Sequence, residues 1–383
     1  MSALSTTAGI ILARVRGRSL AREIARSTPP VTPVAVYFAD APSGLYQLKR
    51  WYRVLEALEA TYPVSIITSD PSTYRVVRGQ TTLPVTFAVG PAQLDRVLQR
   101  QQVRVVLYPN HNALNFRVLR FARPVHVFIG HGESAKDSSA SRQLKAYDFT
   151  YVADADSIEL LRRIRGYDAD AAAVVIGSPW LGFPGAAPAG WTPDDRPVVL
   201  YAPTWEGDRP SMDYSSVETV GESIANAVMG TPGLRLIYRP HPWLGRVRPA
   251  SAAADARIRQ AVGAAGAGHF VDTGEYGWSL AAADLCITDV SSVAFDARAL
   301  GTPLIVTVPT SDTIPPVPES AYAGAVRLSA GTPLEIRALI EAARAGAATI
   351  HDTEAPGRLA GMTALVAAVG DALKIADQTV REP

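Results

Sequence analysis

Two histidines stand in settings suited to chemistry. His131 lies in Gly130-His131-Gly132-Glu133-Ser134, directly after an apolar run. Flanking glycines carry no side-chain bulk, so a substrate could come close to the imidazole, which suits a general base that takes a proton from an attacking hydroxyl. His241 lies in Tyr238-Arg239-Pro240-His241-Pro242. A cation and an imidazole held between prolines can pair with a diphosphate, donating hydrogen bonds without being consumed. Thr204, in Tyr201-Ala202-Pro203-Thr204-Trp205, could offer its hydroxyl and N–H to the same anion. Ser291-Ser292 follows an apolar run and precedes a helical pattern. Hydroxyls and N–H groups would gather there at a helix start, where the dipole favours a phosphate. Asp296, one turn further on, faces the same way as Ser292 and could hold a hydroxyl of a sugar or polyol. Lys136, Ser138 and Ser139 could bind acceptor phosphates, and Asn110-His111-Asn112 is a polar cluster of undetermined role. Each feature also has a plainer structural reading: a serine N-cap, a packing aromatic, a turn histidine.

Such residues need elements that bring them to one place. Apolar runs at 34–38, 64–67, 85–89, 103–108, 125–129 and 149–152 read as strands. They are nearly continuous rather than alternating, as expected of parallel strands covered on both faces. Leu45, Leu48, Trp51, Tyr52, Leu55 and Leu58 follow helical spacing between the first two, giving a βαβ rhythm. Proline and glycine crowd residues 183–197 and oppose regular structure there; runs at 198–201, 234–238, 285–288 and 304–308 then restart the pattern. The fold class is therefore α/β, with two doubly wound parallel-sheet domains, 1–183 and 198–383, on either side of a 184–197 linker. Strand carboxyl ends would face a central cleft, the usual ligand position in such sheets. Residues 309–318 read as a proline-rich loop near that cleft, Thr332-Pro333-Leu334-Glu335 as a capping-box helix start, and the tail from Gly357 as helical.

Composition narrows the classes of function. The 383 residues are 48% hydrophobic and 19% charged, which suits an ordinary folded protein with two cores. Lys+Arg 37 against Asp+Glu 36 leaves no chain-wide field to hold a nucleic acid, so none is expected as a partner. A single cysteine, Cys286, makes neither an internal disulfide nor a thiolate metal cage. No acidic metal-binding cluster stands out, and the expectation is that no metal or cofactor is required. No run approaches the ~18 apolar residues needed to cross a bilayer, and no signal-peptide stretch opens the chain, so a cytoplasmic protein is expected. From 10 to 26, Ile10, Ile11, Leu12, Val15, Leu20 and Ile24 interleave with Arg14, Arg16, Arg18, Arg22 and Arg26. On a helix this is a basic amphipathic surface suited to an anionic membrane face, or equally a helix docked on its own domain.

Taken in order, Gly-His-Gly at 130–132, Tyr-Ala-Pro-Thr-Trp at 201–205, Arg-Pro-His-Pro at 239–242 and Ala-Asp-Leu-Cys-Ile-Thr-Asp-Val-Ser-Ser-Val-Ala-Phe-Asp at 283–296 resemble the CDP-glycerol glycerophosphotransferase family of teichoic-acid synthesis. The resemblance implies a GT-B fold. It also implies transfer of glycerol phosphate, or a related alditol phosphate, from CDP-glycerol to a lipid-linked or polymeric acceptor, with release of CMP at the cytoplasmic membrane face. On this basis His131 and His241 are the expected catalytic pair, His131 as base. Arg239 becomes a diphosphate contact, and Gly132, Ser134, Pro203, Thr204, Ser291, Ser292 and Asp296 further substrate contacts. One departure stands out: where the family usually has Gly-Tyr-Pro-Arg, this chain reads Gly177-Ser178-Pro179-Trp180, which removes a cation expected near the donor. The chain also lacks the long extra N-terminal region of some polymerising members, which points to a short-form transferase. Two other readings stay open: a GT-B glycosyltransferase acting on a nucleotide sugar, and a non-catalytic nucleotide-binding module, which Trp180 motivates.

Overall fold

The computed structural model describes residues 30–132, 141–266, 268–309, 313–314, 322, 324–329, 334–350 and 358–379. The basic stretch 10–26, Ser134, Lys136, Ser138, Ser139, most of 309–318 and Thr332-Pro333 lie outside the described residues.

Seven strands build the first sheet: β1 Val34–Phe38, β2 Val64–Thr68, β3 Val85–Phe87, β4 Val105–Tyr108, β5 Val125–Phe128, β6 Phe149–Val152 and β7 Ala173–Val175. Their order is β3-β2-β1-β4-β5-β6-β7 and every ladder is parallel. Six strands build the second: β8 Val198–Ala202, β9 Arg235–Tyr238, β10 Phe270–Val271, β11 Leu285–Asp289, β12 Leu304–Thr307 and β13 Val326–Leu328. Here the order is β10-β9-β8-β11-β12-β13, again all parallel. The expected two doubly wound sheets are present, with strand ends shifted by one or two residues. The strands that the sequence does not reveal, β7, β10 and β13, are edge strands of two or three residues, too short to display a period.

Burial explains why the strands read as continuous apolar runs. Val34, Val36 and Phe38 face a core that includes Leu48, Trp51, Leu55 and Leu58, whereas Ala35 and Tyr37 face one built with Leu94, Val97 and Leu98. In β8, Val198 and Leu200 belong to the first of these cores and Val199 and Tyr201 to a third. The helical pattern between β1 and β2 is divided into Tyr46–Lys49 and Tyr52–Leu58, with Arg50 and Trp51 at the joint. No helix or strand occurs from 183 to 197.

The division at 198–383 differs from the packing in one respect. The last helix, Arg358–Thr379, sends Leu365, Val369, Ala372 and Leu373 into the core shared with β1 and the Tyr52–Leu58 helix, and Asp377 pairs with Arg104 at 2.6 Å. This helix therefore completes the first lobe although it comes last in the chain. An apolar stripe docks wherever a matching face is open, and sequence distance has no bearing on that choice.

Candidate active site

A cavity of about 1220 Å³ lies between the two lobes. Its wall is made of segments that follow strand carboxyl ends: Gly130, His131 and Gly132 after β5, Pro203 and Thr204 after β8, Arg239 and His241 after β9, Tyr276 after β10, and Ser291 and Ser292 after β11. Parallel sheets put these ends on one side, which is why residues from distant motifs meet. Among the described residues, every expected contact except Asp296 lines this cavity.

The two imidazoles hold opposite tautomers. His131 Nδ1 lies 3.1 Å from the Pro109 carbonyl oxygen. A carbonyl only accepts, so Nδ1 carries the proton and Nε2 is the basic nitrogen. Burial above all, then the charge of Arg50, pushes the His131 pKa down to about 4, so the ring is neutral at pH 7. His241 Nδ1, by contrast, accepts the Trp243 N–H at 3.0 Å, which leaves Nε2 protonated and able to donate. The Tyr46 ring stands edge-on to both, 5.8 Å from His131 and 5.3 Å from His241 between centroids, and Trp205 stacks on His241. A base from one lobe and a donor from the other thus face a common space.

Other expected contacts turn out to be occupied by the protein itself. The Thr204 N–H, assigned above to an anion, donates to Asp289 Oδ2 at 2.7 Å. Asp289 is fully buried and also accepts from Ser216 N–H and the Thr307 hydroxyl, so it ties the ends of β8, β11 and β12 together. Asp296 does not reach for a substrate hydroxyl. Its carboxylate accepts from Arg50, from the Tyr276 hydroxyl and from Trp180 Nε1 at 3.0 Å, and it is 1% exposed. Asp296 faces inward because the helix that carries it, Ser292–Ala299, turns that side to the core. Arg239 pairs with buried Asp272 and donates to the Gly274 and Glu275 carbonyls, so most of its charge is already compensated. Ser291 takes the N-cap position of the Ser292–Ala299 helix, yet its hydroxyl pairs with Thr288 at 3.1 Å instead of capping. Gly132, at φ +121, makes room for the protein rather than for substrate, since a Cβ there would strike Arg50 Nη1 and Ser292.

Residues 129–313 match the family model described as CDP-Glycerol:Poly(glycerophosphate) glycerophosphotransferase, a span that contains all four motifs. Over that segment the chain is similar to the glycerophosphotransferase family. The protein is a glycerophosphotransferase-like enzyme. Among solved structures, a variant of the wall teichoic acid polymerase TagF is similar with a TM-score of 0.58 at 14% identity, covering 99% of this chain and 98% of that chain. A TagF variant soaked with CDPG gives 0.57 at 14% identity, with 97% and 96% covered. The MnaA–UDP co-structure of S. aureus gives 0.50 at 11% identity, with 87% and 91% covered. At such identity the likeness establishes the shared fold, two facing parallel-sheet lobes of GT-B type. No curated protein matches the chain in sequence.

In this site Trp180 is not an empty substitution for the arginine of the family the chain resembles. Its ring lies 4.5 Å from the Arg50 guanidinium, which comes from the joint between the Tyr46–Lys49 and Tyr52–Leu58 helices. A cation is therefore present beside residue 180, but delivered from another element. Sequence reading misses Arg50 because it falls outside every motif, inside what looks like an unbroken amphipathic helix. Nothing in the local pattern separates it from Arg53, which points to solvent.

Proposed function

We propose that the enzyme transfers glycerol phosphate, or a related alditol phosphate, from CDP-glycerol to a hydroxyl of a lipid-linked or polymeric acceptor and releases CMP. The observation that carries this reading is the pair of imidazoles facing one interlobe cavity, His131 with a basic Nε2 and His241 with a protonated Nε2. His131 Nε2 takes the proton of the acceptor hydroxyl, whose oxygen attacks the phosphorus bearing glycerol. The bond from that phosphorus to the bridging oxygen breaks, and CMP leaves with the electron pair. His241, Arg239, Ser292 and the N–H groups at the start of the Ser292–Ala299 helix stabilise the charge that gathers on the phosphates, and such oriented donors supply most of the rate. Residues 198–383, apart from the returning last helix, hold the donor, and the first lobe presents the acceptor. A TagF variant soaked with CDPG, sharing the fold, supports this choice of donor.

The test is incubation with a panel of CDP-alditols and nucleotide sugars. CMP from CDP-glycerol is expected; UDP or GDP from a nucleotide sugar would replace phosphoryl transfer with glycosyl transfer. His131→Ala should lower turnover by about 10² or more with donor affinity retained, and equal rates for variant and parent would remove His131 from the mechanism. The arginine-rich stretch 10–26 is proposed to hold the enzyme on an anionic membrane face, within reach of a lipid-linked acceptor.

A further inference from the structure

We propose that Arg50 is a positioning residue for the transfer: it fastens the main chain of His131 to the start of the Ser292–Ala299 helix, so that base and donor pocket keep one geometry across the two lobes. The inference rests on the reading of His131 as the base. The Arg50 side chain is 7% exposed. Nη1 donates to the His131 carbonyl oxygen at 2.5 Å and reaches Ser292 Oγ at 3.3 Å, while Nη2 donates to Asp296. The flat faces of the guanidinium lie against Trp180 at 4.5 Å and Tyr276 at 4.0 Å. These partners come from separate segments, after β5, at the end of the first lobe, after β10 and after β11, and this group touches all of them. Gly132 lets the contact form, because no side chain fits between Arg50 and Ser292.

A planar fork can serve both partners at fixed angles, which a single ammonium cannot. Without it the 130–132 turn loses its anchor to the helix start, and displacement by about 1 Å in such a site costs on the order of 10² in rate. Arg50 also acts electrostatically. The groups facing His131 are Arg50, His111 and Tyr46. Of these Arg50 bears a permanent charge, and it opposes protonation of the ring.

The experiment compares the parent with Arg50→Lys and with Arg50→Met combined with Asp296→Asn, the second change removing a carboxylate that would otherwise be buried unpaired. First, the His131 imidazole is titrated by NMR in the whole protein without substrate, its signal assigned by difference against His131→Ala. The midpoint should lie near 4 in the parent and in Arg50→Lys, and rise in the double variant while staying below 6.5, because burial, the larger cause, remains. Second, kcat and KM for CMP release from CDP-glycerol are measured. We expect kcat to fall about 10²-fold in the double variant and about tenfold in Arg50→Lys, with the donor KM within about threefold of the parent. An unmoved midpoint together with kcat within about threefold of the parent would overturn the proposal, as would full activity in Arg50→Lys. If the parent releases no CMP, the transfer reading fails while the titration still decides whether Arg50 and His131 are coupled. If the double variant does not fold, Arg50→Lys decides alone.

Discussion

At the scale of single residues, backbone partners decide what each imidazole can do. The Pro109 carbonyl fixes the His131 proton on Nδ1, and the Trp243 N–H fixes that of His241 on Nε2. The same logic governs Trp180. Its indole packs on Trp51 at 5.2 Å, lies over Arg50 and donates to Asp296. Restoring the arginine usual in the family, Trp180→Arg, would make two buried guanidiniums share the Asp296 carboxylate. Loss of indole packing and an excess buried charge should lower stability by about 2–4 kcal/mol, with part recovered when Arg50→Met is added. Denaturant unfolding of both variants checks this; a Trp180→Arg protein as stable as the parent would show that charge balance does not hold this corner. His131, His241, Arg239 and the serine pair are legible as cavity residues from their types and their places after apolar runs. The inward orientation of Asp296 is not, because helical spacing alone does not say which side of a short helix meets the core.

At the scale of elements, the returning helix is the least local feature. Leu365, Val369, Ala372, Leu373 and Ala376 of Arg358–Thr379 lie in the core of the first lobe, and Gly361 packs directly on Pro179. Removing residues 358–383 should expose that apolar stripe's seat. At about 25 cal/mol per Å² of apolar surface, uncovering several such side chains costs several kcal/mol. The truncated protein should melt at a lower temperature and gain binding of a hydrophobic dye, and a peptide of residues 358–379 should reverse both. An unchanged melting temperature would mean that the first lobe is complete without the helix. The helical pattern of the tail is legible in sequence; its destination is not, because either sheet offers an apolar face.

At the scale of the whole molecule, contacts cross between lobes at both ends of the site. The Trp243 indole N–H donates to the Ser43 carbonyl at 2.8 Å, and Arg50 reaches Asp296 and Ser292. One apolar core also runs through both, from Val36 and Trp51 to Leu200 and Ala294. Among the described residues no helix is long and apolar enough to cross a membrane; the proposed attachment through the 10–26 stretch rests on its interleaved arginines and apolar residues. Liposome co-sedimentation should require anionic lipid and weaken as salt rises, since screening shortens the reach of the arginines. Salt-insensitive binding, or none, would return that stretch to packing on its own lobe.

The sequence by itself determines the two parallel sheets, the break between them and the segments that end at the cleft, because buried parallel strands demand continuous apolar runs and the motifs follow those runs directly. Tertiary structure decides which polar groups remain for a ligand. Thr204, Asp296 and much of Arg239 are claimed by partners far away in the chain, and Arg50 arrives from outside every motif. Hydrogen-bond donors and charges buried at an interface must find partners wherever folding brings them, and that pairing exists only once both lobes are in place.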